Sequence, residues 1–133
     1  MNIRIGDKAF IEKKFETEDV VLFSKLSGDN NPIHLNESIA ADSIFKGRIV
    51  HGFLYSSLIS AVIAEKLPGP GSIYLSQDLI FKAPVYHGDL IRAEVEVVDI
   101  KPEKKLIFLS TKCYKNDCTI VIDGKAVIMN DKI

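Results

Sequence analysis

Apolar and polar residues alternate with a period of two along the second half of the chain, and with a helical spacing along much of the first. The clearest alternating run is Asp89 to Val98, with Ile91, Ala93, Val95 and Val97 on one side and Arg92, Glu94 and Glu96 on the other. That is the pattern of a strand in a sheet with one wet face. Ile73 to Lys82, Lys105 to Tyr114 and Thr119 to Met129 read as further strands, joined in part by Lys101-Pro102-Glu103-Lys104 and Lys115-Asn116-Asp117. Near the amino end, Lys8 to Phe15 reads as a strand. Thr17 is then placed to cap a helix carrying Val20, Val21, Leu22, Phe23 and Leu26. Glu18 and Asp19 suit the positive end of its dipole, and Gly28 suits its stop.

The next residues, Asp29-Asn30-Asn31-Pro32, are turn formers, and proline disfavours a helical residue before it, so a fixed loop is predicted there. A short helical stretch follows near Glu37 to Ser43. Gly52 to Lys66 is a longer helix, apolar on most of its circumference and so predicted to be buried. Leu67-Pro68-Gly69-Pro70-Gly71 stops it. One long buried helix followed by a series of strands predicts an α+β fold, an antiparallel sheet wrapped around that helix, rather than βαβ units. With no repeat, low-complexity tract or linker, residues 1–133 are expected to form one domain.

Composition narrows the function. A content of 47% hydrophobic and 26% charged residues is that of an ordinary globular protein. Seventeen basic against 18 acidic side chains leave a net charge of -1, which offers no field to grip nucleic acid. Any anionic ligand must be met by a few local Lys and Arg residues. The longest uncharged run, Ile49 to Ala64, is short of the ~20 residues that span a bilayer and contains His51, Ser56, Ser57 and Ser60, so no membrane anchor is expected. Met1 to Asp7 lacks the basic and then apolar pattern of a secretory signal, and a cytoplasmic location is expected. Cys113 and Cys118 have no second Cys or His pair beside them to complete a tetrahedral metal site. They read as free thiols, and no metal is expected.

Two segments bear on chemistry. In Ser27-Gly28-Asp29-Asn30-Asn31-Pro32-Ile33-His34, a carboxylate and an imidazole stand five positions apart across a proline-fixed turn. Histidine exchanges protons near neutrality and a carboxylate orients it or shares a water with it, so Asp29 and His34 form a candidate dyad. The same residues also suit an Asx turn and a satisfied histidine at a helix start. In Gly47-Arg48-Ile49-Val50-His51-Gly52-Phe53, a helix start offers unpaired N–H groups, and glycine allows close approach, which makes Gly52 a candidate oxyanion donor. An ordinary helix start is the alternative, and His51 reads as a packing or capping residue. No Gly-x-Ser-x-Gly elbow, phosphate-cradling loop or dinucleotide fingerprint is present, so a serine hydrolase, ATP and NAD are not implied.

Taken in order, Ser27-Gly-Asp-Asn-Asn-Pro-Ile-His34-Leu, Ile49-Val-His-Gly52, Leu67-Pro-Gly-Pro-Gly-Ser72, Phe81-Lys-Ala-Pro-Val85 and Gly88-Asp89 closely resemble the MaoC-like dehydratase family over nearly the whole chain. In particular, they resemble its short (R)-specific enoyl-CoA hydratases, which serve polyhydroxyalkanoate synthesis or related routes of fatty acid metabolism. The resemblance implies a hot-dog fold, a homodimer formed by pairing two sheets edge to edge or a higher homo-oligomer, and an acyl-CoA substrate with no separate cofactor. It implies reversible (3R)-specific hydration of trans-2-enoyl-CoA, with short chains favoured. By the same resemblance, Asp29 and His34 are the catalytic pair, Gly52 gives its N–H to the thioester oxygen, Ser60 supports the site and Asn31 holds the loop. Leu54, Leu58 and Ile63 of the long helix are candidate walls for an acyl tail running in apolar space beside it. A hot-dog thioesterase or a non-catalytic acyl-thioester-binding protein would share the fold. The Asp-x4-His loop before the long helix is what favours the hydratase.

Overall fold

The alternating run around Ile91 becomes a central strand. The computed structural model describes residues 2–116 and 118–132, so Asp117, assigned above to a hairpin connection, lies outside it, as do Met1 and Ile133. In chain order the elements are β1 (Lys8–Lys14), α1 (Thr17–Ser27), α2 (Pro32–Leu35), α3 (Glu37–Ala41), α4 (Gly52–Glu65), β2 (Ile73–Phe81), β3 (Leu90–Lys101), β4 (Leu106–Lys115) and β5 (Thr119–Met129), with a 3₁₀ turn at Pro102–Lys104. The strands form one antiparallel sheet in the order β1-β3-β4-β5-β2, with β1 and β2 at its edges.

One face of the sheet carries the core. Ile91, Ala93, Val95 and Val97 of β3 are fully buried, together with Ile107 and Cys113 of β4 and Ile122 and Ile128 of β5. Against them α4 presents Tyr55, Leu58, Ile59, Val62 and Ile63, the three-and-four spacing of one helical stripe. Each such aliphatic side chain contributes roughly 1.5–3 kcal/mol by leaving water. The helix is therefore held by packing, with the sheet curved around it in the hot-dog arrangement.

Three local expectations are corrected. The long helix is not buried all round: Phe53 is 71% exposed and Ser57, Ser60 and Ala64 face outward, because a single sheet covers only one side of it. Glu16, not Thr17, caps α1, and its N–H donates to the Asp19 carboxylate at 2.9 Å, three residues on, as in a capping box. Thr17 is the first helical residue, and its hydroxyl pairs with His87 Nδ1 at 3.0 Å. Finally, Pro32 ends no structure but begins α2, where its missing N–H costs nothing at a first helical position.

Candidate active site

The loop between α1 and α2 is assembled by local bonds. Gly28 ends α1 in the left-handed region (φ 83°), with its N–H donating to the Ser24 carbonyl at 2.9 Å. The Asp29 N–H donates to the Ser27 hydroxyl at 3.1 Å, and one Asp29 carboxylate oxygen accepts the Asn31 N–H at 3.2 Å. The Asx turn considered above is thus real. It occupies one carboxylate oxygen and leaves the other without a hydrogen-bond partner among the described residues, so the turn aims Asp29 rather than consuming it. Asn31 caps α2 by accepting the Ile33 N–H at 3.3 Å, which places it in the loop scaffold.

His34 rides on that single turn and is only 7% exposed. Its Nδ1–H donates to the Ile49 carbonyl at 2.8 Å, since a carbonyl can only accept, which leaves Nε2 as the basic nitrogen. The Ile49 N–H returns a bond to the Ile33 carbonyl at 3.1 Å, so the segment leading to α4 and the histidine turn are tied both ways.

Beneath His34 lies His51, 2% exposed, its ring stacked on the first at 3.8 Å between centroids and 25° between planes. Burial holds His51 below the ordinary histidine range; the Asp29 carbonyl bond opposes this, and the nearby His34 reinforces it. Donor atoms of Asp29, His34 and His51 all lie within 4.8 Å of one another. They fit a shared metal poorly. Two imidazoles stacked face to face cannot both aim an in-plane lone pair at an ion ~2.0–2.1 Å away. The spacing between Asp29 and His34 suits a bridging water.

Immediately after His51, Gly52 opens α4, and no side chain caps the helix, so the Gly52 N–H has no hydrogen-bond partner among the described residues. A Cβ at Gly52 would stand 2.9 Å from Phe81 Cζ and 3.0 Å from Cδ1. Glycine is needed here for close packing against a ring, in addition to exposing the amide.

A cavity of about 440 Å³ opens at this point, and His34 and Gly52 both line it. Its apolar walls come from Ile49, Val50, Phe53, Tyr55, Phe81 and Val85. Of the tail-wall candidates, Leu58 and Ile63 are buried in the core and Leu54 packs against it, and none lines this cavity. The cavity flanks the first turn of α4, whereas those residues point toward the sheet or lie further along. Ser60 likewise faces outward two turns down the helix and is not brought to Asp29 or His34 within the chain. Ser56 and Ser57 bond back to the Phe53 and Leu54 carbonyls. Cys113 is fully buried, and burial pushes its thiol up to about 12, which leaves it protonated and unreactive.

Sequence reasoning did not single out Phe81, His87 or Ser24 and read His51 as a packing or capping residue; it is the N-cap residue of α4, though its side chain makes no cap bond. His87 is held below the usual histidine range by burial first and by Arg48 second. Phe81 was legible only as part of a motif, and the contacts of His51 depend on α1 returning over α4, which no local pattern encodes.

Comparison with known proteins follows this geometry. The model of the MaoC like domain matches residues 6–115. An (R)-specific enoyl-CoA hydratase from Rhodospirillum rubrum is 44% identical over 128 residues, covering 96% of this chain and 88% of that protein. A mitochondrial 3-hydroxyacyl-[acyl-carrier-protein] dehydratase from Solanum lycopersicum is 43% identical over 129 residues, covering 96% and 77% respectively. The solved (R)-hydratase from A. caviae involved in PHA biosynthesis superposes with a TM-score of 0.93 at 41% identity, covering 96% of this chain and 97% of that one.

Proposed function

The chain belongs to the MaoC-like domain family, and from that premise we propose that it is an enoyl-CoA hydratase, a hydro-lyase that adds water to a trans-2-enoyl thioester to give the (3R)-3-hydroxyacyl product and runs in reverse as a dehydratase. The observation that carries the reading is that His34 and Gly52 line one apolar cavity while an Asp29 carboxylate oxygen lies within 4.8 Å of a His34 ring nitrogen. Such a site meets both demands of the reaction. Water needs a base to attack an alkene β-carbon, and the thioester oxygen needs a donor as it gains charge.

In this mechanism one water lies between the Asp29 carboxylate and His34 Nε2. As its oxygen bonds to the β-carbon, the dyad accepts one water proton, and the π electrons pass through the α-carbon to the thioester oxygen. The Gly52 N–H at the positive end of α4 stabilises that enolate, a type of interaction worth about 3 kcal/mol of barrier. The dyad then delivers a proton to the α-carbon and ends the turnover as it began. The acyl tail enters the cavity, whose volume and ring-lined walls favour short chains. No cofactor is needed, since the electrophile is activated by the thioester itself.

The same reading includes a homodimer. The edge strand β2 exposes Ile73, Tyr74, Leu75, Ile80 and Phe81, a combination that an unpaired edge seldom carries. A cytoplasmic role in acyl-CoA metabolism, including supply of polyhydroxyalkanoate monomers, is consistent with no helix of the described residues being long and apolar enough to cross a membrane. The test is substitution of the dyad. Asp29→Asn and His34→Gln should each remove ~10²–10⁴-fold of crotonyl-CoA hydration. Near-normal turnover in both variants would refute the mechanism.

A further inference from the structure

His51 lies outside the proposed dyad, yet more of the site is fastened to it than to any other side chain. Its Nε2 is 3.0 Å from the Asp29 main-chain carbonyl and 3.1 Å from the Ser24 hydroxyl. Because the carbonyl can only accept, Nε2 carries the hydrogen and shares it between the two oxygens. Its ring is the surface on which His34 lies, and Phe23 of α1 meets its other flank edge-on at 4.9 Å. Along the chain it is joined directly to Gly52. Its remaining nitrogen, Nδ1, is buried with no hydrogen-bond partner among the described residues.

We propose that His51 is a positioning residue for the hydration: one neutral imidazole that sets the Asp29 loop, the His34 ring and the Gly52 amide in register with one another. The inference rests on the proposed function and deepens it. Each of the three groups is otherwise held by its own local structure, an Asx turn, a single helical turn and a helix start. The His34–Ile49 and Ile49–Ile33 bonds tie the histidine turn to the segment before α4, but neither reaches the Asp29 loop or fixes its distance from the other two. His51 does so by a hydrogen bond, a stack and a peptide link. A buried polar atom left unpartnered is tolerated in a structural histidine only at a cost, which a leucine or phenylalanine at the same place would avoid. The donor at Nε2 is what those residues would lose. His51 touches neither the water nor the thioester and acts through the groups that do.

The experiment compares wild type with His51→Phe, which keeps a ring for His34 but no donor, and with His51→Gln, which keeps an N–H able to reach the Asp29 carbonyl. With crotonyl-CoA as substrate, His51→Phe should lower kcat by about ten- to a hundredfold, the scale of an ångström-size misplacement, with KM nearly unchanged. His51→Gln should recover a large part of the loss. A histidine that merely packs would lower the melting temperature and leave kcat per folded molecule as in wild type; that result, or a rise in KM alone, would overturn the role. Should His51→Phe not fold, Ser24→Ala, which removes one anchor of the imidazole and leaves His51 in place, should still lower kcat severalfold at constant KM, and an unchanged kcat would overturn it. Wild type that hydrates no enoyl thioester overturns the proposed function and this role with it, whereas active wild type with unimpaired His51 variants overturns this role alone.

Discussion

Replacing Gly52 by alanine tests the oxyanion donor without removing any side chain. The added methyl would stand 2.9 Å from Phe81 Cζ and 3.0 Å from Cδ1, with Cε1 nearer still, so the ring or the first turn of α4 must give by more than half an ångström. Phe81 is half-exposed, but Phe53 at 6.3 Å and Tyr55 at 6.2 Å meet it edge-to-face and limit how far its ring can turn. Part of the shift therefore falls on the helix start that carries the amide. Overpacking of this kind costs roughly 1–3 kcal/mol, and alanine returns up to about 1 kcal/mol in helix propensity, so the fold should survive with a small loss of stability. Catalysis should not. A donor displaced by this distance forfeits much of the roughly 3 kcal/mol attributed to an oxyanion contact, a fall of about a hundredfold in kcat/KM. The assay is loss of the enoyl-thioester absorbance of crotonyl-CoA, with melting temperature as control. Phe81→Ala in the Gly52→Ala background should restore part of the activity by making room for the methyl. Gly52→Ala with turnover within threefold of wild type would refute the assignment of the amide.

Other outcomes follow from the same geometry. Asp29→Asn should keep the fold, because Asp29 is exposed and its side chain makes a single turn contact among the described residues, while abolishing most turnover; unfolding seen by circular dichroism would contradict this. His34→Gln should cost about 1–3 kcal/mol of stability as well as activity, since it disturbs a buried bond to the Ile49 carbonyl and the imidazole stack. His51 and His87 both have folded-state pKa values lowered from 6.5, mainly by burial, so just below that pH the unfolded chain takes up protons that the folded chain refuses. Stability should accordingly fall as pH drops through 6.5 and level off below the folded values. Equal urea midpoints at pH 7.5 and 5.5 would contradict it. At Gly124 in β5 a Cβ would run into the Asp78 carbonyl of β2, so Gly124→Ala should destabilise that edge pairing by several kcal/mol, read as a drop in melting temperature.

The sheet was legible because period-two alternation survives wherever one face is dry, as at Ile91 to Val97. The α4 segment was legible as a helix but not as a half-covered one. Its outward residues include Phe53 and Ala64, and what lies over them is not written in the pattern of the helix itself. The loop at Asp29 was read as turn chemistry, and that is how it folds. The short α2 was missed because Pro32 reads as a barrier to helix, yet its missing N–H costs nothing at a first helical position. Asp29, His34 and Gly52 could be singled out as candidates because they sit in compact motifs. His51 and Ser24 are 27 residues apart and meet only through packing of α1 over the start of α4, so their relation had no local signal. Phe81 lies further still from Gly52, and its role became visible only as a contact distance.

The most direct test of the central claim is to follow the absorbance of crotonyl-CoA with and without the protein and to resolve the product on a chiral column. Protein-dependent loss of the enoyl band with (3R)-3-hydroxybutyryl-CoA formed, and no free thiol released, is the result this account predicts. Release of free coenzyme A thiol, or a (3S) product, would contradict it.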